Sequence, residues 1–134
     1  MRFVQQSGSF DVAVGGRSGT PVLEMPNITK GNTIKVTVTF FARTGSQMSN
    51  GFYYQVEATN SNDVKVLSQQ QGIVQGNQGW QATTKTVFFE AVVNSQTGVE
   101  DVDFQVIFSK DDLDGSGQIF DFLMTAEVVS LDTP

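Results

Sequence analysis

The chain has 134 residues, a formal net charge of −6 and an isoelectric point near 4.3. This length fits one domain with one core, and we expect residues 1–134 to form it. The 8 Lys and Arg residues form no cluster, which excludes a nucleic-acid ligand because phosphate binding needs a clustered basic face. His and Cys are absent, so the commonest general base, metal ligand and thiolate nucleophile are missing, and we do not expect an enzyme.

The sequence shows neither a signal peptide nor a segment that could cross a membrane. The first residues, MRFVQQSGSFDV, lack the continuous apolar run of a signal peptide. No later segment approaches the roughly 20 apolar residues that span a bilayer. We therefore expect synthesis in the cytoplasm without a signal peptide, and no membrane partner.

Apolar and polar residues alternate with a period of two along most of the chain, most clearly from Ile34 through Val36 and Val38 to Phe40. Successive side chains of a strand point to opposite faces, so this period places one set in a core and the other outside. The pattern predicts an all-β antiparallel sandwich of about eight strands. We expect these strands at residues 8–14, 20–25, 33–43, 51–59, 63–69, 82–93, 100–109 and 118–130.

The alternation also assigns the inward side chains of each strand. The segment 69–81 has no clear period and contains the single tryptophan, so it is predicted to be a loop or an irregular edge. The predicted core consists of Phe10, Val12, Val14, Ile34, Val36, Val38, Phe40, Phe52, Tyr54, Val56, Val87, Phe89, Ala91, Val102, Phe104, Val106, Phe108, Phe120, Phe122, Met124, Ala126 and Val128.

Two strand motifs resemble those of a known family of modules. The stretch ITKGNTIKVTVTFFART at 28–44 and the stretch GWQATTKTVFFEAVV at 79–93 are followed by VDFQVIFS and FLMTAEVVSLD. Together they resemble jelly-roll carbohydrate-binding modules of the family four and nine type, which are galactose-binding-like domains. Jelly rolls of this pattern are also common as virus and phage structural proteins. The resemblance implies a jelly-roll sandwich that binds a glycan or a neighbouring virion protein.

A possible calcium loop lies between the last two predicted strands. Asp112, Asp114 and Ser116 occupy the first, third and fifth places of an EF-hand-like loop, with Gly117 at the sixth and Ile119 at the eighth. The twelfth place is Leu123, where a bidentate Glu would close the shell. The alternative is a hairpin turn without an ion, because Asp, Gly and Ser also favour turn geometry. Apart from this possible calcium ion, no cofactor is expected.

Several large apolar residues stand at positions that the alternation turns outward. Phe41, Phe88 and Ile107 are the clearest, and exposed groups of this size usually mark a partner surface. The alternative is that a β-bulge or the 69–81 loop buries some of them. We expect a homo-oligomer, with a trimer as the first expectation.

A sugar platform needs a flat aromatic ring and planar polar groups. The candidates are Trp80 and Tyr53 for the rings, with Gln78, Gln81 and Arg43 for the hydrogen bonds. The alternative is that the aromatic residues only stabilise the sandwich.

Two non-catalytic functions follow from these observations. The first is a structural protein of a virus or phage particle, located in the virion as a capsid decoration, fibre or tail module and contacting capsid or tail proteins. The second is a carbohydrate-binding module, possibly stabilised by calcium.

Overall fold

The chain folds almost entirely as β-strands, as the alternation predicts. The computed structural model describes residues 1–12, 17–45, 51–110 and 117–129, with only the backbone for 17–19. In these residues the helical structure is one 3-10 turn, Ser61–Asp63. No helix among them is long and apolar enough to cross a membrane. The strands are β1 Arg2–Val12, β2 Arg17–Gly19, β3 Leu23–Thr29, β4 Thr33–Thr44, β5 Phe52–Ala58, β6 Val64–Val66, β7 Gln71–Val74, β8 Gln81–Ala91, β9 Val99–Ser109 and β10 Gly117–Val129.

The strands form two antiparallel sheets packed face to face. Sheet A has the order β1-β10-β4-β8-β6, and sheet B has the order β2-β9-β5-β7, with β3 also paired to β9. The pairs β1 with β10, β2 and β3 with β9, β4 with β8, and β5 with β7 are nested like the two arms of one long hairpin. This nesting, rolled into two sheets, is the connectivity of a jelly roll.

Phe108 of sheet B lies at the centre of an aromatic core. Its ring contacts Phe10, Phe40 and Phe122 of sheet A, with centroids 5.9, 5.3 and 6.5 Å away. On its own sheet it contacts Phe52 and Tyr54, both at 6.2 Å. Most of these pairs meet edge to face, the arrangement that suits the ring quadrupole. Phe108 therefore joins the inner faces of both sheets.

A bulge in β10 makes the predicted core wrong at one important position. Phe120 pairs with Phe41 and Leu123 pairs with Thr39, so Asp121 and Phe122 together stand opposite Phe40 alone. The extra residue reverses the alternation, because Ile119 is buried before it and Phe122 after it. Phe120 was expected in the core and instead points outward.

Two further expectations, on the core and on the first strand, differ from the structure, and one on segment 69–81 agrees with it. The core assignment is also wrong for Val128, which is 46% exposed near the end of β10, and Val14 lies outside the described residues. Strand β1 begins earlier than the expected 8–14. The segment 69–81 contains the short edge strand β7, as the irregular-edge alternative allowed.

Lys110 is a buried cation that the sequence did not single out. Its side chain is fully buried just after β9. Its Nζ donates a hydrogen bond to the carbonyl oxygen of Gly51 at 3.1 Å. A buried ammonium is tolerated only when it is hydrogen-bonded, so this contact fastens the end of β9 to the start of β5.

We predict that Gly72→Ala destabilises the fold by about 1–3 kcal/mol, because overpacking forces neighbouring groups to move. Gly72 stands opposite Tyr54, and a Cβ at this position would overlap the Tyr54 ring. Urea unfolding measures the change. Gly79→Ala is the matched control, since its Cβ would meet only Asn77 Oδ1 at 3.4 Å. Equal stability of the two variants would contradict the close packing of Tyr54 on the β7 backbone.

Candidate functional site

The outer face of sheet A presents rows of side chains that run across its strands. Directly paired residues of antiparallel strands share a face, so the strand register defines the rows. Beyond a charged end row of Lys65, Glu90, Thr33 and Val129, five further rows follow. Of these five, only the first and last carry charged residues, and the three middle rows carry none. In order, the rows are Phe88, Lys35 and Glu127; Thr86, Thr37, Thr125 and Phe3; Thr84, Thr39, Leu123 and Gln5; Ala82, Phe41, Phe120 and Ser9; and Arg43, Gln118 and Asp11.

Three aromatic rings from different segments meet at the Arg43 end of this face. Phe120 contacts Trp80 with centroids 5.6 Å apart and Phe41 at 6.4 Å. Trp80 remains 41% exposed and Phe41 42% exposed. We call Trp80, Phe120, Phe41 and Arg43 the aromatic patch. Its ring planes are tilted to one another by 42° between Trp80 and Phe120 and by 44° between Phe41 and Phe120, so the patch is an uneven, partly solvent-exposed apolar surface beside a cation.

A chain of polar contacts fixes the guanidinium of Arg43. Its Cζ lies 4.4 Å from the centroid of the Trp80 ring, a cation–π distance. Its Nε donates to Gln118 Oε1 at 2.8 Å, and Gln118 Nε2 donates to Asp11 Oδ1 at 3.2 Å. A flipped Gln118 amide would place its NH2 against Arg43 and its oxygen against the carboxylate, so both neighbours select the same orientation.

The loop that carries Trp80 is held against the end of β4. Asn77 and Thr44 exchange two hydrogen bonds: Asn77 N donates to Thr44 Oγ1 at 2.9 Å, and Thr44 N donates to Asn77 O at 2.8 Å. Asn77 Oδ1 accepts from Gly79 N at 2.8 Å, which closes an Asx turn. Gln78 Nε2 donates to Gly45 O at 3.2 Å, and Gln81 Nε2 donates to Gln75 O at 3.0 Å. Trp80 is therefore positioned before any ligand arrives.

The structure divides the predicted site residues between two opposite faces. Trp80 and Arg43 meet on sheet A, and the predicted interface residue Phe41 joins them. Tyr53, expected in the same sugar platform, lies on the outer face of sheet B opposite Ile73. Ile107 is also on sheet B. The residues of each predicted set therefore lie on two surfaces, because their strands belong to different sheets.

The predicted interface residue Phe88 lies apart from the aromatic patch. Phe88 is on the outer face of sheet A, but it is half-buried beside Lys35, and its backbone N donates to Ser68 Oγ at 2.9 Å. The register separates it from Phe41 by the two threonine-rich rows.

Phe120 is the patch residue that sequence reasoning missed, because strict alternation placed it inside. The available signal was the pair Ile119-Phe120, since two neighbouring apolar residues cannot both point inward in a regular strand.

The predicted calcium ligands Asp112, Asp114 and Ser116 lie outside the described residues, so that site stays a prediction. In the part of the chain that the structure describes, no group of three or more acidic residues is arranged to hold a metal ion.

Carboxylates gather instead at one end of sheet B. Asp103 pairs with Glu24 across β9 and β3, and Asp103 Oδ1 is buried without a hydrogen-bond partner. Burial raises the pKa of Asp103, and the charges of Glu24 and Asp101 raise it further. The pKa of Asp63 is raised in the same way, by burial and then by Glu100 and Asp103. This end of the sandwich therefore carries electrostatic strain.

We predict that Asp103→Asn raises the melting temperature at pH 7. The raised pKa means that the folded state binds protons more readily than the unfolded state, so this group costs stability above its folded pKa. The cost falls as pH drops through the raised pKa, and it is absent below the ordinary Asp value. The advantage of Asn over Asp should therefore shrink in melting curves taken at successively lower pH. Glu127→Gln on sheet A is the control, and a pH-independent gain for Asp103→Asn would contradict this account.

Comparisons with known proteins identify no family for this chain. No protein-family model matches it, and no curated protein matches it. Among solved structures, a proposed sugar-binding protein from Bacteroides thetaiotaomicron aligns with 13% identity and a TM-score of 0.40, over 79% of this chain and 67% of that one. A cyclase from Fischerella aligns with 21% identity and a TM-score of 0.43, over 87% and 60% of the two chains. A structure of infectious bursal disease virus aligns with 14% identity and a TM-score of 0.37, over 99% and 33%. The jelly-roll assignment rests on the strand order itself.

Proposed function

We propose that this protein is a non-catalytic structural protein of a virus or phage particle that contacts its neighbours through the outer face of sheet A. Its partners would be further copies of the chain and capsid or tail proteins, and its location would be the virion. The observation that carries the proposal is the uncharged centre of that face.

The composition of the face suits protein association. Its three middle rows contain hydroxyl, amide, alkyl and aromatic groups and no charge. Phe3 is 68% exposed at one margin. The cores of protein interfaces are similarly depleted in charge and enriched in aromatic residues, because burying an unpaired charge is costly. Covering this face would therefore remove apolar surface from water without stranding ions.

We predict that Phe41→Asp weakens self-association. Phe41 lies in the fourth row between Ala82 and Phe120, so a carboxylate there would be desolvated in any contact made by this face. Size-exclusion chromatography with light scattering, over a range of concentrations, should show an oligomer for the wild type and a smaller species for the variant.

Ile73→Asp is the matched control for this experiment. Ile73 is 60% exposed but belongs to β7 of sheet B, so the same substitution should leave the oligomer intact. A wild-type protein that remains monomeric at high concentration and does not bind particle proteins would refute the structural function. Dissociation by Ile73→Asp alone would place the contact on sheet B.

A second candidate function is glycan binding at the aromatic patch, and one observation favours it. The exposed Trp80 ring is fixed by Arg43, Phe120 and the Asn77 turn before any ligand is bound. A preorganised flat ring is what stacking against the C–H face of a sugar requires, and its rigidity lowers the entropic cost of binding.

We predict that Trp80→Ala abolishes binding of any glycan that the wild type recognises, because the stacking surface is lost. A glycan array followed by calorimetric titration measures this effect. Tyr53→Ala is the control, since Tyr53 is also an exposed aromatic residue but lies on the opposite sheet. Absence of binding to every glycan tested, or equal losses in the two variants, would remove this candidate.

A further inference from the structure

We infer that Arg43 binds the carboxylate of an acidic sugar, a uronic or sialic acid, whose ring lies against Trp80. This inference rests on the second candidate function, glycan binding at the aromatic patch, and adds the chemical class of the ligand.

Within the described residues, the guanidinium of Arg43 has one edge engaged and one edge without a partner. Its Nε is used by Gln118, and one of its faces is covered by Trp80. Among the described residues, no acceptor contacts its two Nη atoms, and Asp11 reaches Arg43 only through Gln118. The Nη edge therefore presents two parallel N–H groups, the arrangement that matches the two oxygens of a carboxylate.

The orientation of that edge is set by the protein. The amide of Gln118 is held between Asp11 and Arg43, and the Trp80 ring fixes the guanidinium plane. A surface arginine normally loses side-chain rotamer entropy when it binds an anion. Here much of that entropy is already lost when the protein folds. These contacts prepare Arg43 for a planar, two-oxygen ligand.

The charge of the surroundings selects a carboxylate. The fifth row holds Arg43 as its one cation and Asp11 as its one anion, and the neighbouring fourth row of Ala82, Phe41, Phe120 and Ser9 is uncharged. Asp11 is linked to Arg43 only through Gln118, so the guanidinium is not directly paired with that carboxylate. One guanidinium balances the single charge of a carboxylate, whereas a phosphate monoester carries nearly two.

The aromatic surface beside Arg43 favours a sugar as the carrier of that carboxylate. Trp80 contacts the guanidinium and is 41% exposed, and a flat aromatic ring suits the C–H face of a pyranose. Gln78 donates its Nε2 to Gly45 O, so its Oε1 remains as an acceptor for a hydroxyl group. An acidic sugar offers the ring, the hydroxyl and the carboxylate within one residue.

The test is calorimetric titration of the full chain with matched acidic and neutral ligands. Tetragalacturonate is compared with its full methyl ester, and sialyllactose is compared with its own methyl ester. We expect at least one acidic ligand to bind about tenfold or more tightly than its neutral partner, as is typical of a charge-assisted hydrogen-bonded pair. Arg43→Met should abolish this preference, and Arg43→Lys should lose most of it, because an ammonium lacks the planar fork. Lys35→Met removes the same charge from the first row and should change nothing.

The possible results distinguish a failure of the role of Arg43 from a failure of glycan binding itself. Equal binding of acidic and neutral forms, lost in Trp80→Ala, would overturn the role of Arg43 and leave glycan binding in place. No binding of either form to the wild type would overturn both. Displacement of the acidic sugars by poly-L-glutamate at the same concentration of carboxylate would identify a protein carboxylate and overturn the sugar assignment. Loss of the preference for the acidic ligand in Lys35→Met would show a long-range effect of charge and would overturn the role of Arg43. If the Arg43 variants fail to fold by circular dichroism, the wild-type comparison of acid with ester decides.

Discussion

The bulge in β10 is the feature on which both the core and the aromatic patch depend. Asp121 and Phe122 share the space opposite Phe40, and Asp121 has a positive φ of 52°. One additional residue reverses which face each side chain occupies. Phe122 therefore packs on Phe40 and Phe108 inside, while Phe120 packs on Phe41 and Trp80 outside. In an unbulged strand, the core or the patch would lose its phenylalanine.

The rigidity of the patch comes from polar contacts rather than from burial. Trp80 is held by the turn of its own loop, by the hydrogen bonds between Asn77 and Thr44, and by the guanidinium of Arg43. Each contact adds little stability alone, because folding exchanges it for hydrogen bonds to water. Together they restrict a large exposed side chain to one orientation. This preorganised ring is the feature on which the proposed glycan binding rests.

The two outer faces of the sandwich differ in electrostatic character. Sheet A has an uncharged centre, whereas one end of sheet B gathers Glu24, Asp103 and neighbouring carboxylates, where burial and then mutual repulsion raise the pKa values of Asp63 and Asp103. Like charges resist desolvation, so that end of sheet B is disfavoured in a contact. Both proposed functions therefore place the partner on sheet A.

The sequence by itself determined the class of fold and most of the core. Strict alternation places Ile34, Val36 and Val38 inside without any long-range information, because the period of a strand is a local property of the backbone. The predicted strands followed from the same local reasoning, whereas Trp80 and Arg43 were candidates for a sugar platform beside the alternative that the aromatic residues only stabilise the sandwich. Alternation alone cannot predict an irregularity such as the β10 bulge, and it cannot predict the sheet to which a strand belongs. Those depend on pairings between residues far apart in the chain, such as Phe120 with Phe41 and Gln118 with Asp11. Only the tertiary structure could therefore remove Tyr53 and Ile107 from the surface of Trp80 and bring Phe120 into it.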